Sequence, residues 1–371
     1  MVDPARHPAL SRRRFLALAA GAVSVPWVAG CSPAHTPTAA GPQASDGTTR
    51  FLSAVATSGI RAQVRTSLPH ESAWARRTGL GGQGLPAGNP DHLLVLSYHN
   101  ITADGRQQQT GRPDHYTVSA ADFAAQMQML QLAGFRSVRM RDVLASHAHG
   151  VPLPPRSLLV TFDDGGAGQW IYADPILADV GFTAVTFLIT GHLGSSHSYL
   201  TWEEAQALRK TGRWDIEAHT HNLHHLVPTG PLAPHASVLI NRVWDPMTRT
   251  LEPVGAARAR VQADLTTSLA LLSRHGFARP SAFAYPFSQV EGPSNDPTMP
   301  AYVAGLLAAT FPIRMTNASP GRSAQPDDLR SGLLPRLEVR SAMSSLNLFE
   351  RVRTADHPLG RDHSTGEWSG G

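Results

Sequence analysis

The chain has 371 residues, 42% of them hydrophobic and 16% charged, with a formal net charge of +4 and a single cysteine. That length supports one large domain or two smaller ones, and the lone cysteine excludes a disulfide framework, an iron–sulfur cluster and a cysteine-rich zinc module, so any metal must be held by histidine and carboxylate. The charge is no nucleic-acid footprint: residues 1–30 carry Arg6, Arg12, Arg13 and Arg14 against Asp3, and the remainder has 28 basic and 27 acidic residues, a net of +1.

The first thirty residues read as an address. A basic Ser11-Arg12-Arg13-Arg14 precedes an apolar run from Phe15 to about Val28, shorter than the roughly 20 residues a spanning helix needs. Basic start, short apolar run and small residues at the end make a signal peptide over 1–30. Arg12-Arg13 with Phe15-Leu16 resembles a twin-arginine export signal. Val28-Ala29-Gly30-Cys31 resembles a bacterial lipobox, which implies lipid on Cys31; the plainer alternative is an ordinary secretory signal with an incidental cysteine. Residues 31–49, rich in Pro, Ala, Thr, Ser and Gly, suit a flexible tether. Residues 50–91 show no assignable periodicity. The expectation is an exported protein, lipid-anchored at the outer face of the cytoplasmic membrane.

From 92 to 355 the pattern alternates strand and helix. Leu93–Ser97 and Leu158–Phe162 are short apolar runs fit for buried parallel strands. Ser119 is placed to cap a helix over about 120–133, with Phe123, Met127 and Leu130 on one face and Gly134 ending it. The spacing predicts a helix over 173–180 closed by Gly181, and a strand over 184–189. Thr201 and Glu204 form a capping box for a helix through Lys210. A short strand over 215–218, a helix over about 256–274 and a strand at 283–285 follow. The Pro-rich, aperiodic stretch from about Leu226 to Val254 is long for a bare connection, so it reads as a substrate-facing loop. Residues 356–371 read as a frayed tail. Such alternation means a parallel α/β sheet or barrel.

Three polar clusters follow predicted strands, at the carboxyl ends where parallel α/β folds place their sites. They are Tyr98-His99-Asn100, Asp163-Asp164-Gly165 and His219-Thr220-His221-Asn222-Leu223-His224-His225. Adjacent carboxylates on an extended strand point apart, so one can bind a metal while the other faces substrate. Two histidines and a carboxylate leave open positions on a divalent ion for water and substrate, which suits hydrolysis. Singly, each cluster has a bland reading: a turn or helix cap, a solvated histidine loop, a hydrogen-bonded core pair.

Thr161-Phe162-Asp163-Asp164-Gly165, then His219-Thr220 with His224, then Phe283-Ala284-Tyr285-Pro286-Phe287 resemble the successive motifs of polysaccharide deacetylases (carbohydrate esterase family 4, NodB homology). Tyr98-His99-Asn100-Ile101 ahead of them, with the five-residue histidine spacing, resembles the biofilm poly-β-1,6-N-acetylglucosamine deacetylase branch. The resemblance covers about residues 92–345 and implies a distorted (β/α) barrel. It also implies Asp163 as the general base, Asp164, His219 and His224 as metal ligands, and His99 as the acid for the departing amine. It implies that the backbone around Tyr285-Pro286-Phe287 lines the site and helps stabilise an oxyanion, and that Arg336 steadies the base. Many wider relatives carry arginine where Ala284 stands, but the early-histidine branch commonly lacks it. The usual late Leu-x-His motif is not evident, as expected if His99 does that work.

His221 and His225, four apart, are an alternative ligand pair from one helical face, and Trp244 is either a sugar-stacking ring or a packing anchor. The implied cofactor is a divalent metal, zinc first, with cobalt, nickel or iron(II) as alternatives. The implied partners are an acetylated amino-sugar polysaccharide and, through lipid, a membrane; nucleic acid is not among them. The implied reaction is release of acetate from an extracellular N-acetylglucosamine polymer. The alternatives are a peptidoglycan or chitin-like substrate, or a non-catalytic carbohydrate-binding lipoprotein.

Overall fold

Nine strands form one sheet: β1 (Leu93–Tyr98), β2 (Arg136–Ser137), β3 (Ser157–Phe162), β4 (Ala184–Leu188), β5 (Trp214–Ala218), β6 (Ala282–Ala284), β7 (Ile313–Thr316), β8 (Leu333–Pro335) and β9 (Leu337–Glu338). The order is β8-β7-β6-β5-β4-β3-β1-β9, with β2 paired to the start of β3. Every pairing within it is parallel. The two ends of this order, β8 and β9, are separated in sequence by Arg336 alone, so the sheet curls into a nearly closed barrel. The computed structural model describes residues 59–61, 92–107, 114–288, 293–317 and 322–356. The signal, lipidation and tether readings over residues 1–49, almost all of 50–91, and the tail beyond Asp356 lie outside the described residues.

Burial on both faces explains why the strands read as unbroken apolar runs: all six residues of β1 and of β3 are buried. Alternate side chains divide between two cores. Leu93, Val95, Leu159, Val185, Phe187, Ala282, Ala284, Ile313, Met315 and Leu334 pack together on the inner face of the strands. Leu94, Leu96, Tyr98, Leu158, Val160, Phe162 and Trp214 face outward to the helices. Those helices are α1 (Ala120–Leu132), α2 (Met140–His149), α3 (Asp174–Val180), α4 (Trp202–Lys210), α5 (Val254–Arg274), α6 (Thr298–Thr310), α7 (Pro326–Ser331) and α8 (Ser345–Asp356).

The expected caps are present. The Ser119 hydroxyl accepts the Asp122 N–H at the start of α1, Thr201 and Glu204 form a reciprocal box on α4, and Gly181 ends α3 in a left-handed turn. The helix expected from Ala173 begins at Asp174, because Gln169–Ala173 winds as a π-turn ahead of it. Such turns recur where a side chain must be re-aimed. Here Gln169, fully buried, accepts from the Thr186 hydroxyl at 2.6 Å and donates to the Asp163 carbonyl at 3.2 Å.

The stretch 226–254 departs from expectation. It folds into two short antiparallel ladders, 226–227 with 236–237 and 244–245 with 250–251. Arg260 of α5 ties them down by donating to the carbonyls of Val238 and Asn241 and to Glu252. None of its residues lines the cleft described below, so it is a packed excursion rather than a substrate-facing loop. Trp244 accordingly stands away from the cleft, its N–H on the Pro228 carbonyl.

Candidate active site

Each polar cluster sits at the carboxyl end of its strand, and together they line one cleft of about 490 Å³. Asp163 follows β3, its N–H bonded to the Tyr98 carbonyl of β1 at 2.9 Å. Arg336, in the seam between β8 and β9, donates from both terminal nitrogens to the two Asp163 oxygens, each at 2.7 Å. Both side chains are buried. Asn317 accepts from Arg336 Nε at 2.8 Å and fixes the plane of the guanidinium. Burial alone would raise the Asp163 pKa; the charges of Arg336, His219 and His99 outweigh it and hold the carboxyl below its ordinary range. Asp163 is therefore an oriented anion at neutral pH.

Asp164 turns the other way because the strand ends there, its backbone in the left-handed region at φ 69°. Its Oδ1 lies 3.5 Å from His219 Nε2 and 3.6 Å from His224 Nε2. Donors about 2.1 Å from a tetrahedral zinc stand about 3.4 Å from one another, close to these two separations, and all three donor atoms lie within 4.8 Å of one another. Two of them, Asp164 Oδ1 and His219 Nε2, are buried with no hydrogen-bond partner among the described residues, which is the mark of atoms waiting for a cation. His219 Nδ1 meets the Ala284 carbonyl at 2.7 Å, and that contact makes Nδ1 the protonated nitrogen and turns the Nε2 lone pair inward. Burial, reinforced by the charge of His219, pushes His224 down to about 4, leaving it neutral and able to donate its lone pair. His219 moves the opposite way: burial is outweighed by its contact with Asp164 and the charge of Asp163. Asp164 is held well below the carboxylate range, its burial outweighed by His219, His224 and His99.

The alternative ligand pair does not assemble. Residues 219–225 are not helical. His221 turns to the Thr190 hydroxyl at 3.0 Å, and exposed His225 bonds the Asn222 carbonyl at 3.0 Å. Among the described residues, Asp164, His219 and His224 are the one group of three donors close enough to share an ion.

His99 lines the same cleft, its ring 4.7 Å from that of Tyr116 and its Nδ1 buried without a hydrogen-bond partner among the described residues. The loops carrying His99 and the two aspartates are locked together at Gly168, where a Cβ would come within 1.7 Å of the Ile101 carbonyl. Tyr285 and Phe287 line the cleft as expected. The Tyr285 N–H is committed to the Met315 carbonyl at 3.0 Å, however, and Pro286 has no N–H, so neither supplies an oxyanion donor from its backbone. Phe287, at φ 56°, places its ring 4.6 Å from that of His224.

Several residues of the site were invisible to motif reasoning. Asn317 behind Arg336, Gln169 behind the Asp163 backbone, and Ser198 and Tyr199 on the rim carry no local signature; they are brought in by the barrel closure and by the 194–200 turn.

Fold and site together define a parallel α/β barrel with a two-histidine, one-carboxylate pocket and an arginine-held aspartate beside it. Residues 150–298 match the sequence model of the family described as polysaccharide deacetylase. Over that segment the chain is similar to this family. It is 26% identical over 210 residues to the poly-beta-1,6-N-acetyl-D-glucosamine N-deacetylase of Staphylococcus aureus (strain MSSA476), covering 56% of this chain and 64% of that one. With the enzyme of the same name from Staphylococcus epidermidis it shares 31% identity over 144 residues, 36% of this chain and 50% of the relative. The chain thus spans less than two thirds of the length of these relatives. The barrel superposes on a de-N-acetylase from Aggregatibacter actinomycetemcomitans with a TM-score of 0.60 at 18% identity, over 71% of this chain and 100% of that one.

Proposed function

We propose that the protein is a metal-dependent hydrolase that removes N-acetyl groups from a poly-β-1,6-N-acetylglucosamine-like polysaccharide, releasing acetate. The observation that carries this reading is the convergence, in one cleft, of the Asp164–His219–His224 donor cluster, the Arg336-held Asp163 and His99. A divalent cation bound by Asp164, His219 and His224 would supply Lewis acidity and make water a competent nucleophile near neutral pH. Zinc suits the donor set best.

The chain's own residues account for the remaining requirements of amide hydrolysis. Asp163, anionic and fixed by two charge-assisted bonds, takes the proton of the attacking water. Arg336 keeps that carboxylate from swinging toward the cation site. His99, in the same cleft, protonates the amine nitrogen as it leaves, a step an imidazolium performs near neutral pH. Tyr116, Tyr199 and Phe287 offer the flat apolar faces on which a sugar ring packs, with Asn100, Asn317 and Glu338 as polar contacts. The names of the Staphylococcus relatives support the N-acetylglucosamine polymer as substrate. The reading extends to an exported chain held at the outer face of the cytoplasmic membrane by lipid on Cys31.

Purified protein loaded with zinc should release acetate from poly-β-1,6-N-acetylglucosamine, and chelation should stop the release. Release from peptidoglycan or chitin oligomers alone would replace the substrate. Release from none of the three, with zinc bound, would leave a carbohydrate-binding role in its place.

A further inference from the structure

Between the two histidines of the donor cluster lie four residues, Thr220 to Leu223, whose backbone is gripped from outside by one stripe of helix α5. Asp264 accepts the His221 N–H at 2.8 Å on one oxygen and the Asn222 N–H at 2.7 Å on the other. Ser268, one turn further along α5 and on the same face, donates its hydroxyl to the Thr220 carbonyl at 3.3 Å. Two consecutive N–H groups on one carboxylate form an anion-holding nest, and a left-handed residue beside them gives the chain its concave turn. Thr220 is that residue, at φ 71°. A β-branched side chain holds this conformation only where its surroundings impose it.

The two histidines depend on this grip unequally. His219 is fixed independently, by its N–H on the Leu188 carbonyl and its Nδ1 on the Ala284 carbonyl. His224 has ring contacts with His219 and Phe287. Where His224 stands is therefore set by the path of 220–223.

We infer that Asp264 is a positioning residue of the metal site: by clasping the N–H groups of His221 and Asn222, it sets the distance of His224 from Asp164 and His219. The inference rests on the metal-site reading above and adds to it a residue that touches neither metal nor substrate. Loss of the clasp frees two N–H groups, relaxes Thr220 toward ordinary backbone angles, and lets His224 drift from its partners.

The test is zinc affinity of the full chain, read by competition with a chromophoric chelator, in a double-mutant cycle with His224. Asp264→Ala should weaken zinc binding roughly 10- to 100-fold, the range typical of residues that orient a metal ligand. Asp264→Asn, which keeps one acceptor oxygen and the same shape, should fall between wild type and alanine, and it carries the test if the alanine variant does not fold. In a His224→Ala background, Asp264→Asn and Asp264→Ala should cause no further loss, because the ligand they position is gone. Equal losses in both backgrounds, or unchanged affinity in Asp264→Ala, would overturn the inference while leaving the metal reading intact. A wild-type chain that binds no zinc would instead remove the metal reading itself.

Discussion

Asp163 and Arg336 stand 173 positions apart in sequence and meet through two 2.7 Å bonds in a buried site. Removing one partner leaves the other charge buried and uncompensated, which typically costs about 3–5 kcal/mol. Arg336→Met should therefore lower the stability measured by urea titration by about that amount, as well as abolishing turnover. Asp163→Asn should lose acetate release while zinc affinity stays within a few-fold of wild type, since Asp163 is not among the donors. An active Asp163→Asn enzyme would refute the base assignment. At this scale the sequence was informative where chemistry dictates residue type at a strand end: Asp163, Asp164, His219, His224 and His99 all fall in one cleft. It was silent on Asp264 and Asn317. A carboxylate or amide that serves backbone groups or a guanidinium is chemically ordinary, and only the fold reveals what it holds.

Among the elements, β5 and β6 make the thinnest joint of the barrel, with one register pair, Phe283 opposite Ala218. Glu217 bridges the gap below it. One carboxyl oxygen accepts the N–H groups of Ser281 and Ala282, each at 2.7 Å, and the other lies 2.9 Å from the Ser281 hydroxyl. Burial pushes the Glu217 pKa up to about 8, although those backbone contacts pull it down. Glu217→Ala would leave two strand N–H groups without partners, a loss of about 1–3 kcal/mol for each group left unsatisfied. Glu217→Gln, with one acceptor oxygen for the N–H groups and an amide to face Ser281, should retain most of the stability in the same urea titration. Equal stability of the alanine variant would show that the bridge is idle.

Element boundaries were legible where a cap or an apolar run marks them, as at Ser119, Thr201 and β3. They were not legible where strands shrink to two or three residues. Such segments, among them β9 and the ladders of 226–254, have no period to read. Their places come from partners distant in sequence, as Arg260 places the excursion.

For the molecule as a whole, the parallel barrel was readable from the alternation of buried strands and amphipathic helices, but its closure was not. Closure depends on Leu333–Glu338, which in sequence is an unremarkable stretch of six residues around a proline. No helix among the described residues is long and apolar enough to cross a membrane. The proposed attachment through Cys31 is thus open to a direct check: Cys31→Ala should move the chain from the membrane fraction to the soluble exported fraction. Unchanged retention after carbonate washing would count against the anchor.

The seam at Arg336 also imposes an order on how the molecule comes to life. Asp164, His219 and His224 are all synthesised more than a hundred residues before the counter-ion of Asp163 is made. A nascent or truncated chain ending short of that arginine would hold every metal donor, yet have nothing to hold its base and no final strand to shut the barrel. The proposed hydrolysis is thereby reserved for a chain made at least as far as this seam, an order that suits the proposed export of an already folded protein.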